Sequence, residues 1–165
     1  MALAICPLIE FDRTQVLQLY QAMTPDSRFR RFGSFLHEEL IARYVSELNL
    51  ADAMVLGAFD GDRLVGVCEA VPCDEAGHVR ELAFVVAAAY QGLGIGRQLG
   101  QAMMRSEAGP WVVACMTDNP PMSQLARSLG FARVEQGHDV GLPAGLLEAY
   151  DTPHGLFVAR STALA

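Results

Sequence analysis

The sequence predicts an α/β fold, with one domain over residues 1–165 and a mixed, mostly antiparallel sheet flanked by helices. Three observations predict this class. Two segments with helical spacing come first, three strand-like segments follow one another between residues 54 and 87, and a glycine-rich stretch then opens another helix. A chain of 165 residues buries roughly two thirds of its unfolded surface, so its core needs no disulfide or metal.

The first part of the chain predicts two helices after a short apolar opening at residues 3–8. Asp12 and Gln15 have the spacing of a capping box. The apolar residues that follow lie at helical spacing: Val16, Leu19, Tyr20 and Met23. Pro25 is expected to end this helix, and a second helix is predicted from about Phe35 to Leu48.

The middle of the chain changes to strand-like patterning. Met54 to Phe59 and Arg63 to Val71 flank a turn at Asp60-Gly61, which predicts an antiparallel hairpin. A second turn at Asp74 to Gly77 leads into a third strand, His78 to Ala87. These three segments predict a meander within the sheet.

The remaining elements alternate between helix and strand. Gly92 to Gly96 leads into a helix, and Trp111 to Met116 is a short apolar strand. Asn119 as N-cap, with Pro120 at the first helical position, predicts a further helix that Gly130 ends. Two last strands are expected at Phe131 to Glu135 and Leu156 to Ala159.

The composition excludes several functional classes. All 12 basic residues are Arg, so a Schiff-base lysine and a Walker A phosphate loop are excluded. The net charge of −7 argues against nucleic acid as the partner and favours a cationic one. The longest apolar run, Leu82 to Tyr90, is far shorter than the ~20 residues that span a bilayer. Residues 1–10 lack the features of a secretory leader, so we expect no membrane association and a cytoplasmic location.

The cysteines and histidines do not predict a metal site. No C-x-x-C pair occurs, and the four histidines show no ligand spacing. Each cysteine lies in or beside an apolar run, which favours buried free thiols over disulfides or zinc: Cys6, Cys68, Cys73 and Cys115.

The glycine-rich stretch is the most informative segment. Successive glycines at a helix start allow backbone N–H groups to converge on an anion such as a pyrophosphate. Glycines in a first helical turn are unfavourable by ~1 kcal/mol each relative to Ala, which suggests a function. A dinucleotide-binding fingerprint is one alternative, but Gly92, Gly94 and Gly96 give G-x-G-x-G after the third strand of a meander. A glycine turn that binds nothing is another.

The residues around this loop resemble a known family. Gln91-Gly92-Leu93-Gly94-Ile95-Gly96 matches the Q/R-x-x-G-x-G/A signature of the GNAT superfamily of acyl-CoA-dependent N-acetyltransferases. Asn119-Pro-Pro-Met122, with Leu125, Gly130 and Phe131, resembles the family's N-x-x-A/M…L…G-F segment. The resemblance covers about residues 1–135.

Within this superfamily, three segments are most similar to the acetyltransferase domain of bacterial protein lysine acetyltransferases: residues 27–32, the Glu81 strand and residues 119–122. Those enzymes usually carry a large additional nucleotide-binding-type domain, which we do not expect in this sequence. The resemblance therefore implies the chemistry more firmly than the acceptor.

The resemblance implies acetyl-CoA as co-substrate and assigns residues to it. The backbone amides implied to hold the CoA pyrophosphate are those of Gln91, Gly92, Leu93, Gly94, Ile95, Gly96 and Arg97. The strand backbone implied to pair with the pantetheine arm is that of Phe84, Val85 and Val86. Asn119 is implied to hold the pantetheine or the adenylate end, and a plain helix N-cap remains its alternative role.

Glu81 is the residue expected to move the proton. A protonated amine needs a base within hydrogen-bond reach before it attacks a thioester. Strand geometry places Glu81 ~20 Å from Ala87, which is about the length of an extended pantetheine arm. Val79, Ala83 and Val85 share its strand face, and such apolar neighbours tend to raise a carboxyl pKa. A carboxylate paired with an Arg is the alternative.

One position departs from the superfamily. Many members carry a tyrosine, proposed to protonate the leaving thiolate, where this chain has Ala126. Cys115 and Ser123 lie nearby in sequence and are expected to be structural. We expect an N-acetyltransferase acting on a protein lysine or small-molecule amine, with a non-catalytic acyl-CoA sensor as the alternative. The sequence predicts neither an oligomeric state nor a role for residues 137–155.

Overall fold

The structure is a computed structural model that describes residues 3–51, 54–73, 75, 77–106, 109–134 and, for the backbone alone, 154–160. The described helices are α1 (Arg13–Gln21), α2 (Pro25–Phe32), α3 (Glu38–Glu47), α4 (Ile95–Ser106) and α5 (Pro120–Ser128). The described strands are β1 (Leu3–Pro7), β2 (Val55–Asp60), β3 (Arg63–Pro72), β4 (Arg80–Val86), β5 (Pro110–Met116), β6 (Ala132–Arg133) and β7 (His154–Arg160).

The strands form the mixed sheet that the sequence predicted. Their hydrogen-bonded order is β1-β2-β3-β4-β5-β7-β6. β4 pairs with β5 in parallel, whereas the pairings of β2 with β1 and β3, and of β7 with β5 and β6, are antiparallel. The chain divides into two compact units, one of residues 1–69 and 83–103, the other of residues 70–82 and 104–165.

The first unit has helices on both faces of its strands. Val67 and Val85 belong to a buried apolar cluster with residues of α1 and α3. Gly66, the neighbour of Val67, points to the opposite face, because side chains alternate along a strand. A Cβ at Gly66 would lie only 3.0 Å from Ile95 Cγ2 and 3.2 Å from Leu99 Cδ1, so the glycine allows α4 to pack closely on this face.

The second unit is built around β5. Its residues Trp111, Val112 and Val113 are fully buried. β5 pairs with β7 along its whole length, from Pro110 opposite Arg160 to Met116 opposite His154. After α5 the chain turns back with the Phe131 amide donating to the Ala126 carbonyl at 3.0 Å, and both of these residues are buried.

The first helix ends at Gln21, before Pro25 as predicted, but no helix was predicted between Pro25 and Phe35, where α2 lies. Pro25 begins α2, because proline lacks an amide hydrogen and the first helical residue needs none. Thr24 is the N-cap, and its Oγ1 accepts a hydrogen bond from the Ser27 amide at 3.1 Å. Gly33, in a left-handed conformation with φ 70°, ends α2, so the next helix begins at Glu38 rather than Phe35.

The predicted capping box at Asp12 is also wrong. Asp12 precedes α1, but its Oδ2 accepts from the Ile9 amide at 2.9 Å instead of capping the helix. Gln15 Oε1 accepts from the Leu64 amide at 2.9 Å. Both side chains therefore tie α1 to preceding and distant backbone, which sequence spacing does not reveal.

The last two predicted strands correspond to β6 and β7. The segment predicted over Phe131 to Glu135 is a strand at Ala132–Arg133, and Leu156 to Ala159 lies within β7. Glu135, residues 136–153, and Asp74 and Ala76 of the predicted turn lie outside the described residues.

Candidate active site

The glycine loop has the geometry of an anion-binding loop. Gly92 and Gly94 have φ of 76° and 80°, in the left-handed region that favours glycine. The first α-helical hydrogen bond runs from the Gln98 amide to the Gly94 carbonyl at 3.1 Å. The N–H groups of Ile95, Gly96 and Arg97 therefore have no acceptor within the helix and point out of its N-terminus.

The expected cost of glycine in a helical turn does not apply to Gly92 and Gly94. Of the three loop glycines, only Gly96 lies inside α4, so the cost of glycine in a helical turn applies to it alone among them. Gly92 and Gly94 precede the helix, and an added Cβ at either would meet no atom within 4 Å. Their requirement for glycine comes from backbone conformation and not from crowding.

The loop and the end of β4, two predicted parts of the cofactor site, lie together in the first unit. Gln91 Nε2 donates to the Val86 carbonyl at 3.0 Å. The Ala87 amide donates to the Val65 carbonyl of β3 at 2.9 Å. The backbone N–H and C=O groups of successive strand residues point to opposite neighbouring strands. Those of Val85 therefore point toward β3, as the Ala87 amide does, whereas those of Phe84 and Val86 point away from it.

Tyr90 fixes the loop to the β2–β3 hairpin, a contact that sequence reasoning missed. Its hydroxyl donates to Asp60 Oδ2 at 2.9 Å, and this hydrogen bond raises the pKa of Tyr90. The Arg63 guanidinium lies 5.8 Å from the centre of the Tyr90 ring. No spacing signal relates Tyr90 to a turn thirty residues earlier, although both segments were identified separately.

Glu81 belongs to the second unit and lies at the start of β4. Its Cα is paired with that of Val112 in the parallel ladder with β5, next to the pair of Arg80 and Trp111. Its side chain is on the same face of the strand as Ala83, and the residue is half-buried. Glu81 is therefore carried by the part of β4 that lies directly beside β5.

Asn119 is the N-cap of α5, as its position before Pro120 predicted. Its Oδ1 accepts from the Met122 amide at 3.3 Å. It follows β5 in the second unit, with its own amide donating to the Met116 carbonyl at 3.0 Å. The side-chain nitrogen is not used by this cap.

The position of the family's tyrosine is buried in this chain. Ala126 is fully buried and brings no acidic hydrogen. Cys115 Sγ lies 3.6 Å from Ser123 Oγ in the same unit. Burial raises the pKa of the Cys115 thiol, against a smaller lowering by its hydrogen bond with Ser123. Cys115 is therefore a protonated thiol at neutral pH.

A buried charged cluster in the first unit was missed by sequence reasoning. The Glu69 side chain, on β3, is only 4% exposed. Its Oε2 accepts from the Tyr44 hydroxyl at 2.5 Å, and its Oε1 accepts from the Tyr20 hydroxyl and from Arg31 Nη2, the latter at 3.2 Å. We call Glu69, Tyr20, Tyr44 and Arg31 the Glu69 cluster.

Among the described residues, no group of three or more His, Cys, Asp or Glu side chains is placed to hold a metal ion. Within the same residues, no helix is both long and apolar enough to cross a bilayer. The four cysteines are free thiols, as predicted, but only Cys68 and Cys115 are buried. The prediction of burial is wrong for Cys6, which is exposed on the partly exposed strand β1, and for Cys73, which is half-buried just after β3.

Several solved acetyltransferase structures share the fold. The GNAT domain of PAT from S. lividans has a TM-score of 0.73 and 16% identity, over 94% of this chain and 88% of that one. YncA of Salmonella typhimurium, solved with its cofactor acetyl-CoA, has a TM-score of 0.65 and 18% identity, over 96% and 92%. RimL, a ribosomal L7/L12 α-N-protein acetyltransferase solved with coenzyme A, has a TM-score of 0.66 and 15% identity, over 97% and 94%.

A family model supplies the sequence-level match that these low identities do not. The model of the acetyltransferase (GNAT) family matches residues 15–131, well over half of the 165 residues. The matched stretch runs from α1 to Phe131 and contains Glu81, the glycine loop and Asn119. The chain therefore belongs to the GNAT family of acetyltransferases.

Proposed function

We propose that the protein transfers the acetyl group of acetyl-CoA directly to a primary amine. The observation that carries this proposal is the glycine loop, in which Gly92 and Gly94 are left-handed and the first amides of α4 point outward. This arrangement suits a pyrophosphate, because backbone N–H groups and the helix dipole both favour an anion. YncA and RimL, which share the fold, bind acetyl-CoA and coenzyme A respectively.

The proposed cofactor contacts follow the backbone of the chain. The amides of residues 91–97 bind the pyrophosphate, and the outward backbone of Phe84 and Val86 pairs with the pantetheine arm. The Val86 carbonyl already accepts from Gln91, so Phe84 and the Val86 amide supply the pairing groups on that side. Val85 takes part in this pairing only as the strand residue between Phe84 and Val86. The side-chain nitrogen Nδ2 of Asn119 is available to the cofactor while Oδ1 of the same side chain caps α5.

Glu81 is proposed as the base. The carboxylate, or a water that it orients, takes the proton from the ammonium form of the acceptor, and the neutral amine then attacks the thioester carbon. A backbone amide of the sheet polarises the thioester carbonyl. The nitrogen of the tetrahedral intermediate loses its second proton to solvent, and the intermediate collapses to the amide with breakage of the C–S bond. CoA leaves as a thiolate and takes its proton from solvent, because Ala126 has none to give.

The acceptor is proposed to be a protein lysine or a small-molecule amine. The sequence resembles protein lysine acetyltransferases, and RimL acts on a protein amine. The net charge of −7 favours a cationic partner in either case. We further propose that residues 1–165 act as one acetyltransferase domain in the cytoplasm, where the four free cysteines stay reduced.

The first experiment is a calorimetric titration of the purified protein with acetyl-CoA, CoA and NAD in parallel. We expect heat of binding with acetyl-CoA and CoA and none with NAD. A response to NAD without one to CoA would contradict the assignment of the glycine loop.

The base is tested with Glu81→Gln. We expect turnover to fall ~100-fold or more while the acetyl-CoA dissociation constant changes little, because the amide cannot accept the proton. Glu75→Gln, at an exposed position between β3 and β4, is the matched control and should keep full turnover. Equal activity of Glu81→Gln and wild type across a pH series would remove Glu81 from the mechanism.

A non-catalytic acyl-CoA sensor is the second candidate function. The fully buried Ala126 favours it, because the position of the family's proposed acid carries no ionisable group. Binding of acetyl-CoA is compatible with both candidates. Acetylation of any amine in a screen of lysine peptides, polyamines and amino acids identifies the enzyme, whereas binding without turnover identifies the sensor.

A further inference from the structure

The Glu69 cluster has the composition of a site that recognises a cation. The buried carboxylate accepts hydrogen bonds from two tyrosine hydroxyl groups and from the Arg31 guanidinium. The guanidinium carbon lies 5.7 Å from the centre of the Tyr44 ring, and the Tyr20 ring lies 5.9 Å from that of Tyr44. A carboxylate combined with aromatic faces is the chemistry that binds ammonium and guanidinium groups.

The members of the cluster are held by elements of very different burial. Tyr20 is fully buried on α1, together with Val16 and Leu19. Tyr44 is on α3, where Ile41 and Val45 are buried, and Glu69 is within the buried part of β3. These three residues therefore belong to the packed core of the first unit.

Arg31 lies on α2, the least buried of the four elements that carry the cluster. Every residue of α2 is exposed or only half-buried. The helix is attached through polar contacts, such as Arg28 Nη2 to the Gln21 carbonyl at 2.7 Å, and through Phe32 against the rings of Tyr20 and Tyr44. Segments with few buried apolar contacts open at the lowest free energy, so α2 is the part of this cluster that can move away.

Departure of Arg31 alone would leave the Glu69 carboxylate buried and unpaired, which is strongly unfavourable. If another cation took the place of Arg31, the Glu69 carboxylate would stay paired and the charge balance around it would be unchanged. The two tyrosine hydroxyl groups would still donate one hydrogen bond to each carboxylate oxygen. The arrangement thus favours exchange over simple opening.

We propose that Glu69, Tyr20 and Tyr44 form a binding subsite for a cationic group of a ligand, which Arg31 fills in the free protein. The ligand's ammonium or guanidinium displaces Arg31, and α2 moves with it. The inference rests on the proposed function for the kind of ligand: an amine acceptor with a second cationic group, such as a diamine or a basic peptide. The group bound here keeps its charge and is not the nitrogen that is acetylated.

Chemical rescue tests the subsite. Arg31→Ala should melt ~6 to 15 °C below wild type, as expected for a broken buried ion pair. Methylguanidinium or ethylammonium chloride at millimolar concentration should restore at least half of this loss in a saturable way, and sodium chloride at equal ionic strength should not. Arg30→Ala, next in sequence and ion-paired with Asp26 at the surface, is the matched control and should show no saturable gain.

Two outcomes of this experiment would overturn the proposal. One is the absence of saturable rescue by either cation. The other is equal rescue of the double variant Arg31→Ala with Glu69→Gln, which has lost the carboxylate and should not respond. The measurements use no acetyl-CoA, so a protein that acetylates amines but shows no rescue refutes this inference alone, and rescue without any turnover refutes the proposed function alone.

Wild-type protein provides a second test should Arg31→Ala not fold. Hydrogen exchange of the α2 amides is measured with 1,4-diaminobutane, with an arginine-containing peptide, and with 1,4-butanediol as the uncharged control. We expect α2 to exchange several-fold faster with a cationic ligand and to be unchanged with the diol. Acceleration by the diamine or by the peptide distinguishes small-molecule from protein sources, and no acceleration by either contradicts the proposal.

Discussion

The hydroxyl of Tyr44 connects two charged groups in the first unit. It donates to Glu69 Oε2 at 2.5 Å and accepts from Arg31 Nη2 at 2.9 Å. In Tyr44→Phe both charged groups lose a partner inside the protein, so we expect the free energy of unfolding to fall by about 1–3 kcal/mol. Urea denaturation followed by circular dichroism measures this change.

Tyr90→Phe is the comparison for that experiment. It removes the hydrogen bond to Asp60 at the hairpin, where water can replace the lost partner. We expect a smaller loss of stability than for Tyr44→Phe. Equal losses in the two variants would mean that the buried cluster contributes no more than an accessible hydrogen bond.

Single residues differ in how far the sequence predicts them. Asn119 was predictable as an N-cap because the cap and Pro120 are adjacent in the chain. Glu69 was not, because it is one acid within the apolar run of β3, and its partners are 25 to 49 residues away. Gly92 and Gly94 were identified correctly, but the need for positive φ, rather than a helical cost, became clear only from the backbone.

At the scale of elements, β2 depends on one glycine for its packing. A Cβ at Gly57 would clash with Leu8 Cδ2 and lie 2.8 Å from Leu64 Cδ1, in the core between β1 and β3. Gly57→Ala should therefore lower the free energy of unfolding by about 1–3 kcal/mol, as overpacking does. Thermal and urea unfolding of the purified variant measure the effect.

Gly109→Ala is the matched control for Gly57→Ala. A Cβ there would lie 3.6 Å from the His78 carbonyl oxygen, an ordinary van der Waals distance. We expect a change within about 0.5 kcal/mol. A loss at Gly109 as large as that at Gly57 would show that contact with Leu8 and Leu64 is not the cause, because the loss of glycine's backbone freedom in the unfolded chain stabilises the protein.

The elements themselves were predictable where a local signal is decisive. The β2–β3 hairpin and the strand at Trp111 have clear patterns and ends, although the two turn residues are Gly61 and Asp62, one position after the predicted Asp60-Gly61. The helix α2 was missed because proline fits both a helix end and a first helical residue, and only the Thr24 cap distinguishes them. Its polar composition, PDSRFRRF, lacks the apolar stripe by which α3 was recognised.

For the whole molecule, the sequence predicted the family and the mixed sheet, because a short glycine motif and the order of elements are local features. The acceptor was not predictable, since cationic recognition depends on side chains that folding brings together from four elements, as in the Glu69 cluster. The net charge of −7 indicates only the sign of the partner's charge.

Alkaline conditions test the buried groups of the whole molecule together. Burial raises the pKa of Tyr20, Tyr44 and Cys68 in the folded protein. In the unfolded chain these groups ionise near their ordinary values, about 10 for Tyr and about 8.5 for Cys. Above those values the folded state binds more protons than the unfolded state, so stability is present at lower pH and is lost as pH rises.

We therefore expect the free energy of unfolding to fall from about pH 8.5 and more steeply above about pH 10, with each group contributing up to about 1.4 kcal/mol per pH unit. Urea unfolding from pH 7 to 11 measures this profile. Tyr44→Phe should flatten the steep part above pH 10 and leave the part between pH 8.5 and 10, which comes from Cys68 and Cys115, unchanged. A profile that stays level up to pH 11 would mean that these groups are not protected from ionisation in the folded protein.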